Sequence, residues 1–202
     1  NWDSLNNSPD RPLNNRALNG VYPPGSTFKP FMALAALELG KRTPTQTISD
    51  PGFFDFGGRR FRDDKVGGHG AVDMYKSIVV SCDTYYYVLG NDMGIDNIAN
   101  FMRRLGFGSK TGVDLEGESV GILPSQEWKQ KRFRKAEQQK WYAGETISVS
   151  IGQGAVTVTP IQLASAISGI VSGGAWYKPH LVTTAAALEP RRSELNPDHI
   201  AT

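Results

Sequence analysis

One cysteine, Cys82, and three histidines are found among 202 residues. A single thiol excludes an internal disulfide and by itself fixes no redox compartment. An excess of one charge is also missing: 22 Lys and Arg stand against 20 Asp and Glu, a formal net charge of +2. Nothing in that balance points to nucleic acid. No apolar run approaches the roughly 18 residues a membrane-crossing helix needs. Internal repeats and low-complexity tracts are absent. The sequence starts at Asn1, without Met or a signal-like region, and stops abruptly at Thr202. It therefore reads as a piece of something longer, with any anchor or targeting segment expected outside it. What is present is ordinary for a globular protein, 39% hydrophobic and 21% charged, enough for one substantial core or one lobe.

The stretch Gly20–Leu39 organises the rest. Pro23, Pro24 and Gly25 force a rigid, non-helical approach. Ser26 then stands where a helix should begin, and Phe31–Leu39 is rich in Ala, Leu and Met. Lys29 follows Ser26 by three residues, an offset of about 300° and about 4.5 Å on a helix, so both side chains share one face. A hydroxyl beside an amine is a nucleophile with a base next to it. The S-x-x-K spacing also recurs by chance, and a serine at a helix start ordinarily serves as a cap. The apolar surroundings weigh against that plain reading. Phe28, Phe31, Met32, Ala35 and Leu39 predict a buried helix, and a lysine in its first turn is costly unless paired.

Taken in order, residues 1–20 read as loop. The central helix is predicted over 26–40, with Gly40 as its C-cap. Lys41–Gly58 reads as a connection carrying Phe53, Phe54 and Phe56, Arg59–Asp64 as a short charged piece, and Val66–Val72 as a glycine-rich loop containing His69. Helices are predicted over 74–80, 84–93, 95–105 and 160–172, the last opened by the Thr159 cap and Pro160. Pro124–Gln139 is polar with a basic core. Glu145–Ile151 alternates like a strand and is broken by Gly152-Gln-Gly154, and Ala175–Ala187 suggests extended structure.

Ser81-Cys-Asp83 lies 55 residues after Ser26, in a predicted turn between two helices. Its plain use is to cap the helix that begins at Thr84. Together with Gly25-Ser-Thr-Phe-Lys-Pro30 it resembles the first two active-site motifs of the penicillin-binding protein and serine β-lactamase superfamily, whose third motif is K-T-G. Further stretches agree with one branch: Arg11-Pro-Leu-Asn-Asn-Arg-Ala17, Gly68-His-Gly70, Asp92-Met-Gly-Ile-Asp96, Thr111-Gly-Val-Asp-Leu115, Trp128-Lys-Gln-Lys-Arg-Phe133, Ile151-Gly-Gln-Gly154 and Thr159-Pro-Ile-Gln162. Nearly the whole chain resembles the transpeptidase domain of the elongation-specific class B penicillin-binding proteins of Gram-negative bacteria, the type numbered two.

The resemblance implies an α/β penicillin-binding fold, a central antiparallel sheet with a helical lobe, of which this chain supplies mostly the helical lobe. It implies D,D-transpeptidation: Ser26 attacks the D-Ala–D-Ala carbonyl of a peptidoglycan stem peptide and forms an acyl-enzyme, with β-lactams as suicide acylators. Lys29 would take the serine proton, Ser81 would relay a proton to the leaving amine, and Asp83 would hold Lys29 in place. The Ser26 N–H would form half of an oxyanion hole. Implied partners are stem peptides, β-lactams and the membrane proteins of the elongation machinery. The implied location is the periplasmic face of the inner membrane, through a single-pass anchor outside this chain. The second motif of the wider superfamily usually ends in Asn; here it ends in Asp83, which accepts hydrogen bonds but donates none. Lys110-Thr-Gly112 reproduces the third motif in letters only. It precedes Ile151-Gly-Gln-Gly154, whereas the family's third motif follows that segment, so it is read as a decoy and the true motif is expected beyond Thr202.

Asp50, Asp63, Asp64, His69 and Cys82 fall within 33 residues. Thiolate, imidazole and carboxylate are zinc ligands, and four close a tetrahedral structural site. By composition alone the plainer alternative is a small buried cysteine, a surface histidine and solvated aspartates. Yet the glycine-rich loop from Arg59 to Gly70 has little core to order it. The expected ligands are Asp50, Asp63, His69 and Cys82, with zinc as a structural cofactor and none for catalysis. Lys129, Lys131, Arg132, Arg134 and Lys135 read as a solvated basic face, with glycan strands or anionic lipid as the other use. Two further functions stand beside the transpeptidase: a class D-like serine β-lactamase, disfavoured because its second motif carries an apolar third residue where Asp83 stands, and a binding module, either a non-catalytic β-lactam sensor or an inactive structural partner of the elongation machinery, the inactive version disfavoured by the intact Ser26, Lys29 and Ser81.

Overall fold

The computed structural model describes residues 1–183 and 189–202. Two short helices, α1 (Trp2–Asn6) and α2 (Arg16–Asn19), occupy what reads in sequence as loop. A 3-10 turn, Gly25–Phe28, then feeds helix α3 (Lys29–Glu38). Strand β1 (Ile48–Asp50) pairs antiparallel with β4 (Gly70–Val72), and β2 (Phe53–Phe56) with β3 (Arg59–Arg62). Helices α4 (Met74–Val79), α5 (Asp83–Met93) and α6 (Ile95–Arg104) follow, then α7 (Gln126–Arg132), α8 (Ala136–Gln139), α9 (Ala143–Ser150) and α10 (Pro160–Val171). A third antiparallel pair, β5 (Ala175–Trp176) with β6 (Arg191–Arg192), precedes α11 (Pro197–Ala201). The fold is thus mixed helix and sheet, dominated by helices. Among the described residues no helix is long and apolar enough to cross a membrane.

Helix α3 is the spine of the core. Phe31, Met32, Ala33, Leu34, Ala35, Ala36 and Leu37 are all buried, as is Lys29 at its start. A helix apolar on every side has to be enclosed, and α4, α5, α6 and α11 pack around it. At its head the rings of Phe28, Phe31 and Phe107 meet at centroid distances of 5.0 to 6.3 Å. Burying each such ring contributes roughly 1.5–3 kcal/mol. The N-terminus of α3 is therefore held at a fixed place and angle.

Several expectations are corrected. Glu145–Ile151 is not a strand but most of helix α9. Its Thr-Ile-Ser-Val alternation mimics period two. The Glu145 carboxylate accepts from the Tyr142 N–H at 2.9 Å and caps the helix start instead, and burial of Thr146, Ile147, Val149 and Ser150 against α5 overrides the weak propensity of β-branched residues. The connection 41–72 is not loop alone but two small strand pairs. The β2–β3 hairpin turns on Gly57-Gly58, both at positive φ (57° and 76°), the signature of a two-residue turn. Ser26 is not an N-cap, because it lies inside the 3-10 turn. Beyond Trp176 the chain is irregular as far as Thr183, and the rest of the expected extended segment, 184–187, lies outside the described residues. The helices predicted over 74–80, 84–93, 95–105 and 160–172 are present within a residue or two.

Candidate active site and adjoining metal-ligand cluster

Lys29 is 2% exposed, and its ammonium uses all three of its donors. They reach the Ser81 carbonyl at 2.6 Å, Ser81 Oγ at 3.0 Å and Asp83 Oδ1 at 2.6 Å. Ser81 Oγ in turn donates to Ser26 Oγ at 3.0 Å. The structure thus joins all four residues singled out in sequence into one chain of contacts, Ser26–Ser81–Lys29–Asp83. The order differs from expectation in one respect: among the described residues Lys29 meets Ser26 through the Ser81 hydroxyl rather than directly.

Local structure explains how each group is held. Asp83 is the first residue of α5, where the helix dipole favours a carboxylate. Its partner Lys29 is the first residue of α3. Ser81 links α4 to α5 with φ at +54°, a left-handed conformation that costs a non-glycine residue of order 1–3 kcal/mol. That turn aims both the hydroxyl and the carbonyl of Ser81 at Lys29. Ser26, exposed at the rim, is braced from behind: the Gly25 N–H donates to the Gly152 carbonyl at 2.9 Å. A Cβ on Gly152 would stand 2.2 Å from the Gly25 oxygen, so only glycine admits this approach. The Gly152-Gln-Gly154 break is a support for the serine turn, which the sequence reading missed; glycine at a helix end facing a Pro-Gly turn is the signal that could have found it.

Lys110-Thr-Gly112 takes no part in this arrangement. It lies in irregular chain, its Thr111 and Gly112 amides bind the Glu118 carboxylate at 2.6 and 3.1 Å, and the cavity lined by Lys110 and Thr111 includes none of the four residues.

A second cluster sits directly behind. Asp50, Asp63, His69 and Cys82 each offer a ligand atom, all within 4.8 Å of one another. Asp50 ends β1, Asp63 follows β3, His69 precedes β4 and Cys82 is the N-cap of α5. Asp64 is exposed and stays outside the group. His69 Nδ1 lies 2.8 Å from Asp50 Oδ2 and 3.5 Å from Asp63 Oδ1. Cys82 Sγ lies 3.4 Å from Asp50 and 3.5 Å from Asp63. Burial pushes the Asp50 carboxyl up, but the amides of Gly52 and His69 outweigh it and hold it below its usual range. Burial likewise opposes ionisation of Asp63, and hydrogen bonds from Asp64 and the Thr84 and Lys65 amides bring it down. The Cys82 thiol is pushed up by burial and by both neighbouring carboxylates. The donor set therefore fits a divalent cation: two buried carboxylates, an imidazole and a thiol converge, and among the described residues no lysine or arginine pairs with them. A metal there would be held by these four residues and would tie β1, the 63–69 loop and the head of α5 together.

Against known proteins, residues 2–201 match the family described as penicillin binding protein transpeptidase domain. The chain is 50% identical over 199 residues to the peptidoglycan D,D-transpeptidase MrdA of Acinetobacter baumannii, covering 98% of this chain and 29% of that protein. Among solved structures it resembles Pseudomonas aeruginosa PBP2 in complex with WCK 5153, with TM-score 0.90, 41% identity, and coverage of 99% of this chain and 47% of that one. It also resembles PBP2 of Helicobacter pylori solved in complex with MreC, with TM-score 0.89, 36% identity and coverage of 99% and 37%. The chain thus spans under a third of the curated relative it matches. With a family match over nearly its entire length, a second motif and first motif in hydrogen-bonded contact, and this fold, the chain belongs to the penicillin-binding protein transpeptidase family.

Proposed function

We propose that this chain carries the nucleophile of a peptidoglycan D,D-transpeptidase that cross-links stem peptides during cell elongation. The observation that carries the proposal is the continuous contact Ser26 Oγ–Ser81 Oγ–Lys29 Nζ, 3.0 Å at each step. Ser26 attacks the carbonyl of the D-Ala–D-Ala bond. With Lys29 neutral, the Ser26 proton passes through the Ser81 hydroxyl to Lys29 and returns through Ser81 to the D-Ala nitrogen, so that the C–N bond breaks and D-Ala leaves as the free amine. An acyl-enzyme remains on Ser26 until the amine of a second stem peptide attacks it and frees the serine. Asp83 anchors Lys29 against the turn, and the Ser26 N–H at the head of the 3-10 turn supplies one oxyanion donor. β-Lactams acylate the same hydroxyl.

Whole-protein properties follow the relatives. The full protein is membrane-anchored and faces the periplasm, and it works with membrane proteins of the elongation machinery; the H. pylori relative solved with MreC supports that partnership. Structural zinc on Asp50, Asp63, His69 and Cys82 is part of the proposal and is supported by the convergent, cation-free donor set. No third-motif role is assigned to Lys110.

The test is labelling of the full-length protein with a fluorescent penicillin. Wild type is expected to form a long-lived covalent adduct and Ser26→Ala none. Adduct turnover within seconds would favour a β-lactamase instead, and labelling that persists in Ser26→Ala would refute the nucleophile assignment.

A further inference from the structure

Arg103, Lys110, Lys178 and Arg191 converge on a cavity of about 490 Å³ between the end of α6, the connection that follows it, α10 and the β5–β6 pair. Its volume is that of a small-molecule site. One carboxylate, Glu189, faces the four cations, in a chain whose total charge is only +2. Among the described residues none of the four forms an ion pair; the neighbouring Glu38 is engaged by Arg104 and His199 instead. Arg103 and Arg191 each spend one N–H, on Asn100 Oδ1 and on the Arg104 carbonyl, and the rest of each fork stays available.

Trp176 and Thr111 line the same cavity. Among the described residues Trp176 Nε1 and Thr111 Oγ1, both enclosed in its wall, have no hydrogen-bond partner, as is true of four other such atoms elsewhere in the fold. The indole is fixed on both faces. A Cβ on Gly169 would stand 1.8 Å from the ring, and the Arg191 guanidinium lies 5.0 Å from its centroid. Gln162 Oε1 accepts from the Thr159 N–H at 2.9 Å, so it is not the acceptor of the Trp176 N–H. A concavity lined by four cations that form no ion pair among the described residues selects an acceptor-rich anion.

We propose that this cavity binds a compact ligand carrying two neighbouring oxyanion groups, of which diphosphate is the simplest. The site is separate from the acylation chemistry, since Ser26, Lys29, Ser81 and Asp83 do not line it.

Inorganic diphosphate titrated into the full-length protein, followed by calorimetry and tryptophan fluorescence, tests this. Saturable binding is expected, weakened about tenfold or more in Lys178→Gln and again in Arg191→Gln, and more mildly in Thr111→Val. An Arg134→Gln/Lys135→Gln variant, which removes two charges at residues that do not line the cavity, is expected to bind like wild type. Penicillin labelling of Ser26 should be unchanged in all four, so failure here is distinguishable from failure of the transpeptidase assignment. Vesicles of anionic against zwitterionic lipid separate a headgroup source from a soluble one: capture lost with Arg191→Gln identifies the headgroup, and diphosphate binding without capture a soluble ligand. Absence of saturable binding, or equal weakening in the distant double variant, would overturn the proposal.

Discussion

Residues 81–83 face two ways. Ser81 and Asp83 point at Lys29, while Cys82 between them points at Asp50, Asp63 and His69. Both sides bury acidic groups, and they balance them differently. On the Lys29 side the cation is built in, 2.6 Å from Asp83. On the Cys82 side two carboxylates with 0% side-chain exposure face an imidazole and a thiol, and among the described residues no lysine or arginine pairs with them. The difference separates chemistry from scaffolding. A lysine's proton can be moved, whereas a metal held by four protein ligands has no open position for substrate. On the proposed function, the same turn joins a reactive half to a structural half.

Substitutions can pull the two halves apart. The largest expected effect is Lys29→Met. It removes the base and leaves Asp83 unpaired, so penicillin labelling should fall by about 10²–10⁴ and stability by about 3 kcal/mol, with metal content unchanged by elemental analysis. Next is Gly152→Ala. Its methyl would meet the Gly25 oxygen and displace the Ser26 turn, and a shift of about 1 Å at a nucleophile costs up to about 10² in acylation rate; stopped-flow acylation reads this out, and an unchanged rate would remove Gly152 from the positioning role. Cys82→Ser should do the reverse of Lys29→Met. Stoichiometric zinc is expected to disappear and stability to drop by at least about 2 kcal/mol, a Tm fall of roughly 4–8 °C, while the Ser26 adduct still forms, more slowly. Wild type lacking zinc, or Cys82→Ser with unaltered Tm, would refute the structural half. Smallest is Lys131→Ala, which breaks the exposed Lys131–Glu127 pair and should change stability by less than about 0.5 kcal/mol.

How much of this was legible in the sequence differs between the site and the scaffold. Ser26 and Lys29 are legible from their three-residue spacing ahead of an apolar helix, and Ser81 and Asp83 chiefly through the resemblance of Ser81-Cys-Asp83 to the family's second motif. The four prospective ligands were found because thiol, imidazole and carboxylate share few other reasons to cluster. The route of contact was not legible: the Ser81 hydroxyl stands between Ser26 and Lys29 because Ser81 adopts a left-handed backbone, which no residue type at that position announces. Helix α9 was misread because its β-branched alternation is a local signal and its burial against α5 a tertiary one. The β2–β3 hairpin, by contrast, was written in Gly57-Gly58 and passed over, since the flanking Arg and Phe residues do not alternate cleanly. Strands β1 and β4 are three residues each, too short for any periodicity to show.

The assignment of Ser26 is tested most directly by mass spectrometry of the full-length protein after exposure to penicillin, with the adduct mapped by peptide sequencing. One penicilloyl group on Ser26, absent from Ser26→Ala and slow to form in Lys29→Met, is the expected result. An adduct on any other side chain, or an unmodified Ser26 in protein that binds penicillin, would contradict it.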